Sequence, residues 1–349
     1  MKRFLLKIIL KIYKFFEKEQ SEFIINNLKN LNDFIDSSKL VLFDIGSRSS
    51  KKYNSISSRL DSLKKYSTLI ICDADLSSTD ESIKNLTDEG WKNIKIFPYA
   101  ISNSEEKYID LYLTKQSGLS SLLKPNEVYI NKLPKFIRDD FSITKDFKVP
   151  NKKLINVLDE FNLEGISHID IDTQGTELDI LKSGEKIIKN NLISISIEVS
   201  FQEIYKDQCL FRDIDIYLSN FGFEIFELDR SMLLNIPEIN YSKKILFQGD
   251  ALYFKKPDFI VKNHKNPALD IMKLISMLIT FYHFSDALSI LNDKKLYKLL
   301  CTVYNESKIN NLLNEIIEFS EKFNLHNKVF LREYKLRKYV YKDRDNLYH

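Results

Sequence analysis

Four stretches of the chain place acidic residues or glycine where an apolar run ends: VLFDIGSRSS, IICDADLSS, IDIDTQGTELD and ISISIEVS. In the first, Asp44 and Gly46 form a D-x-G turn. A glycine there lets the backbone pass close to a ligand without a Cβ clash, and the helix that follows offers unpaired N–H groups. In the second, Asp73 stands 29 residues beyond Asp44 at a strand tip, from which a carboxylate can accept both hydroxyls of a ribose. The turn GSRSSKK lacks the G-x-G-x-x-G pattern that accommodates a pyrophosphate. One close glycine plus carboxylates suits a nucleoside cofactor with a cationic centre and no phosphates, which favours S-adenosylmethionine over a nicotinamide dinucleotide.

The third and fourth stretches alternate. His168, Asp170 and Asp172 share one face of a strand whose other face is Ile169 and Ile171, and Ser194, Ser196 and Glu198 do the same against Ile193, Ile195 and Ile197. Polar groups buried without partners are costly, so this face either opens into a crevice or satisfies itself, for example as a His168–Asp170 pair. Asp172 and Glu198 fall at strand tips and are the candidate general bases, with His168 as a relay. No metal is expected; a divalent ion on Asp170, Asp172 and Glu198 is the competing reading. After Asp172, Thr176 and Asp179 have the spacing of a capping box at the start of a helix, TELDILKSGEKII.

The elements that must position these residues follow from periodicity. Short Ile/Val/Leu runs at 40–45, 68–73, 94–99, 166–172, 192–199, 223–229 and 248–255 alternate with amphipathic stretches, the pattern of an α/β sheet with helices on both faces. No helix separates the last two runs, so that pair is expected to be antiparallel. An insertion at 104–160 carries an extended pair around KYIDLYLT, the loop KQSGLSSLLKPN and a helix ending in LINVLDEF. From residue 265 to 341 the spacing is helical, and LISMLITFYHFSDALSIL resembles a single tetratricopeptide-type unit. A bundle packed on the sheet or pairing subunits is the stronger expectation there, and a homo-oligomer follows from the second form.

Length and charge set the outer bounds. The 349 residues suggest roughly two units, read here as an N-terminal segment 1–39 with a sheet domain 40–257, and a helical domain 258–349. Three cysteines without metal or disulfide spacing point to a reducing cytoplasm. The net charge of +3 is concentrated in residues 1–20, where Lys7, Lys11, Lys14 and Lys18 make one cationic stripe on an otherwise apolar helix. That pattern fits an interfacial contact with the inner face of a membrane or a packed cap helix, and no nucleic-acid partner is expected without a domain-wide basic excess.

The motifs together are more specific than any one of them. IDIDTQGTELDILKSG, with FPYAISNSEEKYIDLYLT, GLSSLLKPN, IEVSFQEIYKDQCLF, FGFEIFELDR and GDALYF in the same order, resembles the FkbM family of S-adenosylmethionine-dependent methyltransferases over residues 40 to 256. The resemblance implies a Rossmann-like class I methyltransferase sheet and methyl transfer to a hydroxyl, commonly of a saccharide or secondary metabolite. It implies that Asp44, Gly46 and Ser47 hold the methionine end of the cofactor, Asp73 the ribose, and Ala100, Ile101 and Ser102 the border of the adenine. Asp172, Gln174 and Glu177 would stand beside the transferred methyl. Ser47 and Ser49 depart from the small or glycine residues usual there, and Asp170 from a usual lysine. A catalytically degenerate module acting in protein interaction is the alternative that this altered first turn suggests.

Overall fold

The computed structural model describes residues 28–46, 57–72, 79–233 and 245–322. Ser47, Ser49, Asp73 and the basic stripe of residues 1–20 lie outside the described residues.

In chain order, helix α1 (Lys29–Ser38) leads into β1 (Leu40–Ile45), a 3-10 segment (Ser57–Leu63), β2 (Ser67–Cys72), α2 (Thr79–Asp88) and β3 (Asn93–Phe97). The insertion follows: β4 (Ala100–Ile101), β5 (Tyr108–Thr114), α3 (Glu127–Ile130), α4 (Lys135–Asp140), β6 (Ile143–Lys152) and α5 (Asn156–Phe161). The chain then returns through β7 (His168–Ile171), α6 (Glu177–Ser183), α7 (Glu185–Asn190), β8 (Ser194–Ser200), α8 (Phe211–Ser219), β9 (Phe223–Leu233) and β10 (Ile245–Lys255). Last come α9 (Pro257–Asn263), α10 (Pro267–Thr280), α11 (Phe284–Asn292), α12 (Lys294–Leu300) and helical residues 306–322.

Seven strands form one sheet in the order β3-β2-β1-β7-β8-β10-β9. All neighbours are parallel except β10, which runs antiparallel to both β8 and β9. The chain steps outward from β1 to β3 and then crosses back to β7, so the strand order reverses between β1 and β7. Ligands of open parallel sheets bind outside the carboxyl ends of the strands at such a reversal. The insertion's extended pair forms a separate three-stranded sheet, β4-β6-β5.

The strand alternation divides the apolar side chains into two cores. Phe43, Ile45, Ile169, Ile171, Ile195, Ile197 and Tyr253 face helices α5 to α8. Leu40, Leu42, Leu69, Ile193, Leu252 and Phe254 face α1, the 3-10 segment and the helices after Pro257. In α10, Ile271, Met272, Leu274, Ile275, Met277, Leu278 and Ile279 are all buried against this second face, and each such side chain contributes about 1.5–3 kcal/mol. The C-terminal helices are thus the layer that completes the sheet, as a packed bundle would be, and the 257/258 boundary divides the sequence without dividing the core. Among the described residues no helix is long and apolar enough to cross a membrane.

Two local expectations are corrected. The helix expected as one piece from Thr176 is two, α6 and α7. The Thr176–Asp179 capping box does not form: Thr176 makes no side-chain cap bond, and the Asp179 carboxylate instead accepts from the backbone N–H of Asn103 at 2.8 Å.

Candidate functional site

The polar side chains of the central strands are in register on the second face. Leu42, His168 and Ser194 form one row, and Asp44, Asp170 and Ser196 form the next row toward the carboxyl ends. Asp172 and Glu198 come one step further, at the rim, with Asp250 paired to Glu198 across β10. His168 in the lowest row is fully buried; Asp44 and Asp170 in the next are nearly so, with Asp44 close enough to the rim for its charge to act on Asp172.

His168 does not reach the rim. Its Nδ1 lies 2.9 Å from the Ser194 hydroxyl and its Nε2 3.5 Å from that of Ser196, while its ring lies 5.6 Å from the Phe281 ring at the end of α10. The expected relay is therefore a satisfied core histidine that joins the sheet to the C-terminal layer.

Gly46 joins the two strands at the reversal. Its φ is +87°, and a Cβ built there would lie 2.2 Å from the Asp172 carbonyl oxygen and 2.7 Å from the Thr173 methyl. Its N–H donates to the Cys72 carbonyl at 3.0 Å, and the Asp172 N–H donates to the Ile45 carbonyl at 3.0 Å. The tips of β2, β1 and β7 are stitched together at the one position without a side chain.

The loop leaving β7 turns sharply, with left-handed φ at Gln174 (+58°) and Gly175 (+110°). Glu177 holds this turn. Its Oε1 accepts from the Gly175 N–H at 2.9 Å and from the Thr173 N–H and hydroxyl at 3.2 Å each. Burial pushes its carboxyl up to about 7 against the opposing pull of the Gly175 N–H. Glu177 therefore shapes the loop from inside and does not face the crevice directly.

Gln174 is the node of the site. Its Nε2 donates to Asp172 Oδ1 at 2.9 Å and to Glu198 Oε2 at 2.7 Å, so one amide bridges the two rim carboxylates. Gln248 Nε2 adds a second donor to the same Glu198 oxygen at 3.1 Å. The surrounding protein raises the Asp172 carboxyl, the Gln174 bond pulls it down, and the Asp44 charge raises it further. Glu198 is pushed well above its ordinary range by burial and then by the charges of Asp172, Glu177 and Asp250.

Three residues of the site were not singled out by sequence reasoning. Tyr205 sits fully buried with its hydroxyl 3.0 Å from Gln174 Oε1 and 2.8 Å from the Leu119 carbonyl. Ser121, from the loop GLSSLLKPN, donates to the Gln174 backbone carbonyl at 2.8 Å. Gln248 is the third. The only sequence signal for Tyr205 and Ser121 was their place inside the quoted motif stretches, since neither belongs to a periodic element.

Ala100, Ile101 and Ser102 are buried beneath the small sheet, where β4 pairs with Asn151 and Lys152. The Ser102 hydroxyl donates to Asn151 Oδ1 at 3.0 Å and accepts from the Ser104 N–H at 3.1 Å. The structure thus brings Asp44, Gly46, Asp172, Gln174 and Glu198 together, sets His168 and Glu177 beneath them, and leaves Ser47 and Asp73 outside the described residues.

The strand order, the glycine at the reversal and the carboxylates on the rim define a class I methyltransferase fold. Within it, residues 61–225 match the family model of the methyltransferase FkbM domain. Solved structures similar to the chain include a precorrin-6y C5,15-methyltransferase from Geobacter metallireducens, at 12% identity and a TM-score of 0.33, covering 64% of this chain and 87% of that one. An rRNA methylase from Streptococcus thermophilus is similar at 13% identity and a TM-score of 0.29, covering 64% and 93%. An S-adenosylmethionine-dependent methyltransferase from Clostridium acetobutylicum is similar at 11% identity and a TM-score of 0.29, covering 65% and 92%. No curated protein matches the chain.

Proposed function

We propose that the chain is an S-adenosylmethionine-dependent O-methyltransferase acting on a saccharide or another hydroxyl-bearing small molecule in the cytoplasm. The observation that carries this reading is the Asp172–Gln174–Glu198 cluster at the carboxyl rim beside Gly46. The residues present fit the cofactor: acidic side chains of β1, the loop after β7, and β8 gather at the reversal beside Gly46. That chemistry suits a ligand with a cationic centre. Asp44 and Gly46 would hold its amino-acid end, and Asp73 its ribose. When bound, S-adenosylmethionine supplies an electrophilic methyl group.

The chain's own residues then have two tasks. They must hold the acceptor oxygen in line, which accounts for much of the acceleration in such displacements, and they must take its proton. Asp172 is the base on this reading. Burial raises both carboxyls, Glu198 well above its ordinary range with the Asp172 charge adding to it, and the proton transfer is assigned to Asp172, the rim carboxylate at the tip of the strand next to Gly46. The Gln174 amide holds both carboxylates at fixed distances while this happens.

Calorimetric titration with S-adenosylmethionine tests the reading. Saturable binding that Asp44→Ala abolishes, followed by transfer of labelled methyl to a glycan or small-molecule acceptor, is the expected result. A folded chain that binds no S-adenosylmethionine overturns it and leaves the non-catalytic interaction module.

A further inference from the structure

A primary amide has two chemically opposite ends, and which end faces a pair of carboxylates decides whether it stabilises or repels their charge. Gln174 presents its NH2 end to Asp172 and Glu198, at 2.9 and 2.7 Å. Its other end, Oε1, meets the Tyr205 hydroxyl at 3.0 Å. Burial holds the Tyr205 phenol well above its ordinary range, with the charges of Glu198, Glu177 and Asp172 acting in the same direction, so this hydroxyl stays a donor. The two carboxylates demand the NH2 end, and the single Tyr205 proton, shared between Gln174 Oε1 and the Leu119 carbonyl, braces the amide in that orientation.

Tyr205 is itself fixed from several sides. Its ring is fully buried, 6.0 Å from that of Phe141. Its backbone N–H donates to Gln208 Oε1 at 3.1 Å, and its strand-like backbone bridges Pro125. Its hydroxyl also reaches the Leu119 carbonyl at 2.8 Å, in the same loop whose Ser121 hydroxyl holds the Gln174 backbone carbonyl. The left-handed φ of Gln174, +58°, is maintained by these contacts.

We propose that Tyr205 is a positioning residue: its hydroxyl braces the Gln174 amide with the NH2 end toward the carboxylates, and through that amide biases the ionisation of the Asp172–Glu198 pair. Tyr205 touches neither carboxylate. Its effect passes through one hydrogen bond to Gln174 and out again through two. The inference assigns a role within the methyltransferase reading and rests on it, but the ionisation it concerns is a property of the protein alone.

The experiment is a carboxyl-carbon NMR titration of Asp172 and Glu198 in the full chain without cofactor, on wild type, Tyr205→Phe, Gln174→Ala and the double variant. Losing an oriented amide donor raises a carboxylate's titration midpoint, so Tyr205→Phe should shift the pair upward by about half to one pH unit. Gln174→Ala should shift it in the same direction, and the double variant should match Gln174→Ala alone. A Tyr205→Phe titration that superimposes on wild type, or shifts that simply add in the double variant, would overturn the proposal. If Tyr205→Phe does not fold, the Gln174→Ala titration decides, because an unshifted pair there removes the amide through which Tyr205 must act. Titration of each variant with S-adenosylmethionine separates the two readings: loss of cofactor binding by wild type sinks the methyltransferase reading and leaves the carboxyl midpoints to judge Tyr205.

Discussion

Gly46 and Asp172 meet at the reversal of the sheet, with the Asp172 carbonyl oxygen 2.2 Å from the point where a Gly46 Cβ would stand. Two neighbouring strands can approach this closely only because one of them has no side chain there, and the positive φ of Gly46 would strain any other residue.

Gly46→Ala should therefore damage both stability and site. Strain and the forced retreat of the β7 tip together should cost about 3 kcal/mol or more. Denaturant unfolding measures the first effect and S-adenosylmethionine calorimetry the second. A variant with wild-type stability and affinity would show that the close approach is not needed.

For the rim carboxylates the expected order is asymmetric. Asp172→Asn should lower kcat by about 100-fold or more, the range of a lost general base. Glu198→Gln should cost less, because it keeps an oxygen that can accept from the Gln174 and Gln248 amides and leaves Asp172 in place. Labelled-methyl transfer measured from pH 5 to 9 checks both, and unchanged turnover in Asp172→Asn would remove Asp172 as the base.

Glu177 gives a stability prediction of unusual sign. Its carboxyl is raised to about 7 in the folded protein, so the folded chain binds its proton more tightly than the unfolded chain between about pH 4.5 and 7. Stability from this group is therefore present at low pH and declines as pH rises through that window. Glu177→Gln keeps an acceptor for Thr173 and Gly175 without the charge, and should stabilise the protein by about 2 kcal/mol at pH 8 while changing little at pH 4. Chemical denaturation at the two pH values measures the difference.

Glu227 behaves oppositely. Burial pushes its carboxyl up, but the hydrogen bonds from His283 at 2.9 Å and Arg59 at 2.6 Å outweigh it and hold it down at about 2. A depressed carboxylate adds stability above its unfolded value and loses it as pH falls through the folded one. Glu227→Gln should destabilise by about 2–3 kcal/mol at pH 7, and the gap to wild type should close as pH falls from about 4.5 toward 2. An equal gap at pH 7 and pH 3 would count against the pairing.

The sheet was legible because its strands announce themselves. LVLFDI, STLIIC and SISIEVS are short apolar runs whose alternation maps onto two buried faces, and the observed spans differ from expectation mainly by a residue or two at the ends. The sharing of one face by His168, Asp170 and Asp172 was legible for the same reason. What that face did with them was not: Ser194 and Phe281, which satisfy His168, are 26 and 113 residues away in sequence. Tyr205 escaped notice because it lies in no periodic element, and Gln248 because it opens an expected strand without an acidic or glycine signature; only the fold brings them to Gln174 and Glu198. The C-terminal residues read as helical but not as a layer of the sheet, since an amphipathic stripe does not say which surface it will cover.

The inner face of the first strand is closed in part by a helix that lies far along the chain. The N–H groups of Asn30 and Leu31, at the start of α1, are received by the Glu315 carboxylate at 3.0 and 3.2 Å, across some 285 residues. Leu40 and Leu42 share a core with Ile309, Leu312 and Ile316. During synthesis, then, this part of the sheet face stays uncovered until residues 309–316 have emerged. A nascent chain halted before residue 305 would leave part of that apolar face uncovered, as a surface for chaperones.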